Sequence, residues 1–570
     1  MVCMKFCTIV LLAAALPLLA QPQLSESEAR SLYERRNAEV QQLWPKKEWA
    51  KAATLLEQMS ANAALMKIPE IEFDVRYNLA CAYSRLGQKD KALATLRAAT
   101  RSRPANPEQI ESDSDLDNIR SDPGYAELLN SLRQVWQAKD RFWNSPAMTT
   151  PYKEDISEDE KIAGLTRFWA EAKYNFAWFK RVPELDWDAT YMAYLPKVRA
   201  SRSTFEYYRL LMQFAALLKD AHTNVWGPKE VQEQMNASPA VTMSLVEGRI
   251  LVSRVMDDKL SAAHVRRGVE LITVDGLPVR EYADRFVRPY QSASSPQDLD
   301  LRSLQYSLLD GAPGTTVRLQ FRDETGETID VSTARLSDAE WNKRNTAPKW
   351  KQFQFEMRDG NIAYVALNGF GNQDIVNDFD KAWPEIKKAS ALILDVRRNG
   401  GGNSSYGTSI LSYFTAQGGP GEAVKTRLYR PAYRAWGALE EWSAEEKWNV
   451  GGRGDDVFKG PIVLLIGPGS FSAAEDFAAS FDMLKIGTIM GEPSGGSTGQ
   501  PLSFRLPGGG RARVCTLQTR YADGREFVGT GVQPNVRIAT TVADFKAGRD
   551  TVLEAALAQL RQVRKAAQDQ

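Results

Sequence analysis

The spacing of hydrophobic positions changes several times along the chain. Between residues 30 and 135 it is helical, in a background rich in Ala, Leu, Glu and Lys, and predicts amphipathic helices. Residues 154–222 continue in that period. In "TFEYYRLLMQFAALLKDAHTNV", Tyr207, Leu210, Leu211, Phe214, Leu217 and Leu218 recur at i, i+3, i+4 and i+7, so one buried face leads to His222 just past the helix. The nearby aromatic run (Trp169, Tyr174, Phe176, Trp178, Phe179) reads as core. From 238 the period shortens. "RILVSRV", "VELITVDGLPV", "TTVRLQF" and "ETIDVST" predict short strands, with Asp275-Gly276 as a tight hairpin turn. From 360 strands and helices alternate: "NIAYVAL", a helix over Asp374–Ser390, "ALILDV", "IVLLI", a helix over Ala473–Leu484, then "IGTIMG". Such alternation predicts a mainly parallel sheet covered on both faces. Strand pieces from "PLSFRL" to "RVCTLQTRY" and a helix over Arg549–Lys565 close the pattern.

At the N-terminus, "MVCMKFCTIVLLAAALPLLAQPQ" places Lys5 before an apolar run that ends at Ala20. That is the pattern of a secretory leader and too short to span a bilayer. It predicts a signal peptide over 1–20, a periplasmic or secreted product, and no membrane span in the mature chain. Lys+Arg 72 against Asp+Glu 71, with no large basic tract, argues against nucleic acid as a partner. The composition sets no oligomeric state. Only two histidines exist, His222 and His264, so a multi-histidine metal site is excluded, and neither metal nor organic cofactor is expected. Cys3 and Cys7 would leave with the leader; Cys81 and Cys515 are expected as buried free thiols. A chain of 570 residues with 43% hydrophobic content predicts three or four domains.

Two stretches resemble known modules. "RYNLACAYSRLGQKDKALATLRAATRSRP" carries Leu79, Ala80, Tyr83, Gly87, Ala92, Leu96, Ala99 and Pro104 where a tetratricopeptide repeat has them, with a degenerate copy around Trp49–Met66. "AAHVRRGVELITVDGLPV" resembles a PDZ domain, although Val269 stands where an aspartate is common. His264 lies in the helix of that stretch and reads as a surface residue.

Three separated motifs carry the chemistry: "LILDVRRNGGG" (Leu392–Gly402), "GPGSFSAAEDFA" (Gly467–Ala478) and "MGEPSGGSTGQP" (Met490–Pro501). Together they resemble the serine peptidases that include tail-specific (C-terminal processing) proteases, the tricorn core protease and the interphotoreceptor retinoid-binding modules. The likeness covers roughly residues 150–565. It implies a multidomain α/β chain with a leader (1–20), a helical repeat domain (21–144), a helical subdomain (150–236), a PDZ-like β-rich domain (237–340) and an α/β core of the ClpP/crotonase type (350–565). Ser472 opens a helix after a strand, so its oxygen can project at the carboxyl edge of the sheet with the Ala473 amide beside it. Ser470 is the other serine of that turn, but the family pattern S-A-x-E aligns Ser472 with the nucleophile. The resemblance puts the second oxyanion donor in the glycine run, at Gly401, with Gly400 as competitor.

The base is a separate question. Tail-specific proteases use a lysine in the third motif; Ser497 holds that position here, so a serine–lysine dyad is not expected. The tricorn-like branch takes a histidine from "D-x-H-T" text, which "LKDAHTNV" matches at His222. The residue before it is Ala221, where that branch has a serine leading to a glutamate, and Val528 falls near that glutamate's position, so the group orienting His222 is left between Glu526 and Asp220. Glu475 is expected to brace the turn. The implied function is an exported serine endopeptidase acting on unfolded proteins or peptides, the polypeptide substrate docking through the PDZ-like domain. The alternative is a non-catalytic ligand- or peptide-binding module of the same fold.

Overall fold

The computed structural model describes residues 24–568 except 104, 346, 348, 349, 439 and 440. The leader and Pro104, read above as a helix stop, lie outside the described residues. Two compact units divide the chain between Ser145 and Pro146. The first is helical. Its central pair, Pro69–Arg85 and Lys89–Ser102, turns at Gly87 with φ +73°. Ala80, Ala92, Leu96 and Ala99 are fully buried, because small side chains at the crossing let the two backbones approach. Trp49–Ser60 is the helix that precedes this pair.

The second unit begins with helices Glu158–Asn175, Trp187–Arg199 and Thr204–Ala216, packed around stacked Trp187 and Phe214 rings, 4.3 Å apart. Phe176 and Trp178 are buried as expected, whereas Tyr174 is exposed. The β-rich segment is an antiparallel sheet in the order Val241–Val246, Arg249–Val255, Glu270–Val274, Thr316–Arg322, Thr328–Ala334. The hairpin turn sits at Asp275 and Gly276, both at positive φ, and His264 is exposed.

The core sheet is parallel in the order Val536–Arg537, Thr488–Gly491, Ile462–Ile466, Ala391–Asp395, Ile362–Leu367, with antiparallel Phe353–Arg358 at its edge. Alternate side chains go to opposite faces, as a two-residue period requires. Leu392, Leu394, Leu464 and Ile466 pack with Phe379, Phe477 and Phe481. Ala391, Ile393, Val463 and Leu465 pack with Val552, Ala556 and Leu560 of the last helix, Thr551–Gln568. Cys81 and Cys515 are both buried free thiols.

One short strand was not legible in the sequence. Asn224–Trp226 pairs antiparallel with Arg511–Cys515, Asn224 opposite Arg513. This pairing carries the preceding residue pair, His222 and Thr223, to the carboxyl edge of the core sheet.

Candidate active site

Ser472 lies between the buried strand Ile462–Ile466 and the helix Ala473–Met483, at φ +57° and ψ −127°. A non-glycine residue there stores on the order of 1–3 kcal/mol of backbone strain, tolerated when surrounding contacts over-determine the turn. Those contacts are present. The Ser472 amide donates to Ser497 O at 3.0 Å, and the Phe471 amide to Asn399 O at 3.0 Å. Ser470 faces away: its fully buried hydroxyl donates to Val396 O at 2.8 Å and accepts from the Gly467 amide.

His222 meets the turn from the far side. Its Nε2 is 3.0 Å from Ser472 Oγ, and its Nδ1 is 2.8 Å from Ser497 Oγ. The imidazole stacks on Phe471, with ring centres 4.8 Å apart and planes 4° from parallel. Burial above all, then the positive charges of Arg513 and Arg302, pushes His222 down to about 3, so the ring is neutral. The serine at the lysine position is thus the group the structure puts behind the histidine. Its own amide donates to Glu475 Oε2 at 2.7 Å; the Gly496 amide (2.7 Å) and Ser494 Oγ (2.5 Å) donate to Oε1. Burial pushes Glu475 up to about 8, against the pull of these three donors.

Two residues are placed differently from the sequence reading. Glu526 is half exposed and ion-paired with Lys180; no bond joins it to His222 among the described residues. Its loop turns outward because Asp523-Gly524 makes a surface turn just before it. Gly401 packs its α-carbon against Ser472, yet its amide donates to Asn399 Oδ1 at 2.8 Å and stays inside its own loop. Gly402 lines the cleft with Ser472, and the Ala473 amide opens the helix beside it. Asp220, the other candidate, is fully buried beneath His222 but bonds Thr223 Oγ1 at 2.7 Å and Ser294 Oγ, bracing the loop rather than the ring. A signal for Ser497 did exist: the position supplying the base in tail-specific relatives must face the nucleophile, so a hydroxyl there can reach its histidine.

Residues 361–538 match the family model described as peptidase family S41. The matched stretch holds Ser472, Ser497 and the glycine loop. Over 404 residues, 67% of this chain, it is 25% identical to tricorn protease homolog 2 of Streptomyces coelicolor, covering 31% of that protein. Over 201 residues it is 26% identical to the carboxy-terminal-processing protease of Bartonella bacilliformis, covering 34% of this chain and 43% of the relative. The matches therefore span less than half the length of either relative. In fold it is similar to mature CPAF complexed with lactacystin, with TM-score 0.57 and 16% identity, covering 72% of this chain and 98% of that one. Within the matched stretch, the strand–turn–helix at Ser472 and the glycine loop after Ala391–Asp395 are neighbours on adjacent parallel strands, so both reach the same sheet edge. No described helix is long and apolar enough to cross a membrane.

Proposed function

We propose that the chain is an exported serine peptidase that cleaves peptide bonds of unfolded proteins or peptides through an acyl-enzyme. The observation that carries this reading is the line Ser472 Oγ, His222, Ser497 Oγ, at 3.0 and 2.8 Å across a buried ring. With Nδ1–H donated to Ser497, Nε2 is free to take the Ser472 proton as Oγ attacks the substrate carbonyl. The same nitrogen returns that proton to the leaving amine, and water then releases the acyl group. The Ala473 amide, at the positive end of its helix, meets the developing oxyanion, and Gly402 from the glycine loop supplies the second donor. Ser497 positions the ring, and Glu475 fixes the Ser494–Ser497 loop that holds Ser497.

The β-rich segment and the helical pair fit the PDZ-like domain and tetratricopeptide-like repeat. The edge strand Val241–Val246 is already engaged: the Leu245 amide donates to Gln305 Oε1 at 3.1 Å. A polypeptide docking on that edge has to displace Gln305. The N-terminal apolar run supports export.

A fluorophosphonate probe should label Ser472, and Ser472→Ala and His222→Ala should each abolish labelling and casein hydrolysis. Labelling that survives His222→Ala removes the histidine from the role of base. A wild-type chain that neither labels nor cleaves is the non-catalytic module of the same fold.

A further inference from the structure

The cleft beside Ser472 has a volume of about 860 Å³ and an uneven chemistry. Hydroxyls and amides dominate its wall, Ser404, Ser405, Thr408, Thr498 and Gln500 among them; among the described residues no Lys, Arg or His lines it, and its one carboxyl is Asp476. Asp476 stands four residues after Ser472, one turn along the same helix. Its Oδ1 accepts from Thr498 Oγ1 at 2.6 Å and its Oδ2 from Ser404 Oγ at 2.7 Å, which aims the group and leaves lone pairs unused. Behind it lies Glu422, on the strand Gly419–Leu428, only 4% exposed, with no donor at Oε2 among the described residues. The two carboxyls face each other, and burial with the Asp476 charge raises Glu422 well above the carboxylate range. Asp476 at the cleft wall and Glu422 behind it are thus two acids whose repulsion is relieved by a proton.

We propose that Asp476, backed by Glu422, selects a lysine or arginine side chain on the substrate residue that flanks the scissile bond. The substrate cation takes over the neutralising role of the shared proton, which leaves to solvent, and the surrounding hydroxyls accept its remaining N–H groups. This rests on the serine-peptidase reading of Ser472 and adds a specificity residue to it.

The test uses the full chain and internally quenched peptides carrying Lys, Arg, norleucine, Gln or Glu at each position flanking the cleaved bond. The readout is the ratio of kcat/KM for Lys over norleucine within one variant, so a general loss of rate cancels. Wild type should prefer Lys by about tenfold or more at one position. Asp476→Asn should bring the ratio near one. Glu422→Gln should keep it, since an amide N–H can replace the shared proton. Ser405→Lys, on the exposed rim and independent of the buried pair, should lower it. A wild-type ratio near one overturns the proposal, as does a ratio unchanged in a folded Asp476→Asn chain or, should that variant not fold, in Ser405→Lys. Fluorophosphonate labelling of wild type separates the two failures. Labelled Ser472 without cation preference sinks only this inference, and an unlabelled chain sinks the peptidase reading with it.

Discussion

Burial and the charges of Arg513 and Arg302 hold His222 at about 3, and this sets the pH behaviour of the site. As the proposed base, His222 is already deprotonated throughout the neutral range, so kcat/KM should lack the acid limb near 6.5 that an ordinary histidine gives. A profile measured from pH 5 to 7 should be flat; a limb centred near 6.5 would contradict the buried neutral ring. Stability follows the same proton. The unfolded chain binds it below about 6.5, the folded chain only near 3, so His222 makes stability fall as pH drops through that window. Glu475 has the opposite sign: folded it holds a proton up to about 8, unfolded only to 4.5, so its contribution is lost as pH rises between those values. Glu475→Gln sets an amide against the Ser497 N–H and should cost about 1–3 kcal/mol in denaturant unfolding at pH 7, while removing that slope. Ser497→Ala deletes one neutral hydrogen bond from the ring and should lower kcat about tenfold, with KM little changed. How much of this was legible differs by residue. Ser472 was legible because a strand, a small-residue turn and a helix are all local. Ser497 was legible only as the serine at the lysine position; that it meets the ring follows from what lies opposite it, 275 residues away.

At the scale of elements, the site depends on two backbones in close approach. Gly401 sits at φ +95°, and a β-carbon built on it would lie 2.5 Å from Ser472 Cβ and 2.8 Å from Phe471 O. One of those atoms is backbone inside a strained turn and cannot swing aside. Gly401→Ala should therefore push Ser472, the proposed nucleophile, off its line with His222. The expected result is a loss of at least about 100-fold in kcat, since small misplacements of reacting groups carry costs of that order, with a lowered Tm. Wild-type kcat in that variant would show that the loop yields. The strand Asn224–Trp226 matters in the same way. Three residues with one buried side chain give no periodicity, yet Arg513 ties them down, donating to Asn224 Oδ1 at 2.8 Å and to Ala221 O at 3.2 Å. The helix Thr204–Ala216 announces where His222 leaves the chain, and the strand decides where it arrives.

The whole molecule separates its tasks. The buried core of the helical unit consists of residues from Ala29 to Leu132 alone, whereas Ser472, His222, Ser497, Glu475 and Asp476 all belong to the unit that begins at Pro146. A chain starting at Pro146 should therefore still label at Ser472 with the fluorophosphonate probe. Loss of labelling in a folded fragment would assign the helical unit a part in the chemistry. Within the second unit the β-rich segment is tied to the site: Ser295 Oγ donates to Gly495 O at 2.6 Å, Gln297 Nε2 to Ser494 O at 2.8 Å, and Arg302 lies over the Phe471 ring. The loop that carries Ser497 is thus gripped from outside the parallel sheet.

By itself the sequence determined the local order of this protein. Periodicity set the helices of the first unit, the antiparallel β-rich segment and the alternating core; the motifs marked Ser472 and the glycine loop, and "LKDAHTNV" marked His222. These are properties of neighbours in the chain, where propensity, turn chemistry and side-chain period act over a few residues. The tertiary structure alone decided which groups meet. It put Ser497 rather than Glu526 behind His222, turned the Gly401 amide toward Asn399, and faced Glu422 toward Asp476 across two distant segments. Hydrogen bonds, buried charge and the pKa values they shift depend on distances of a few ångströms between residues far apart in sequence, and only the packed chain defines those distances.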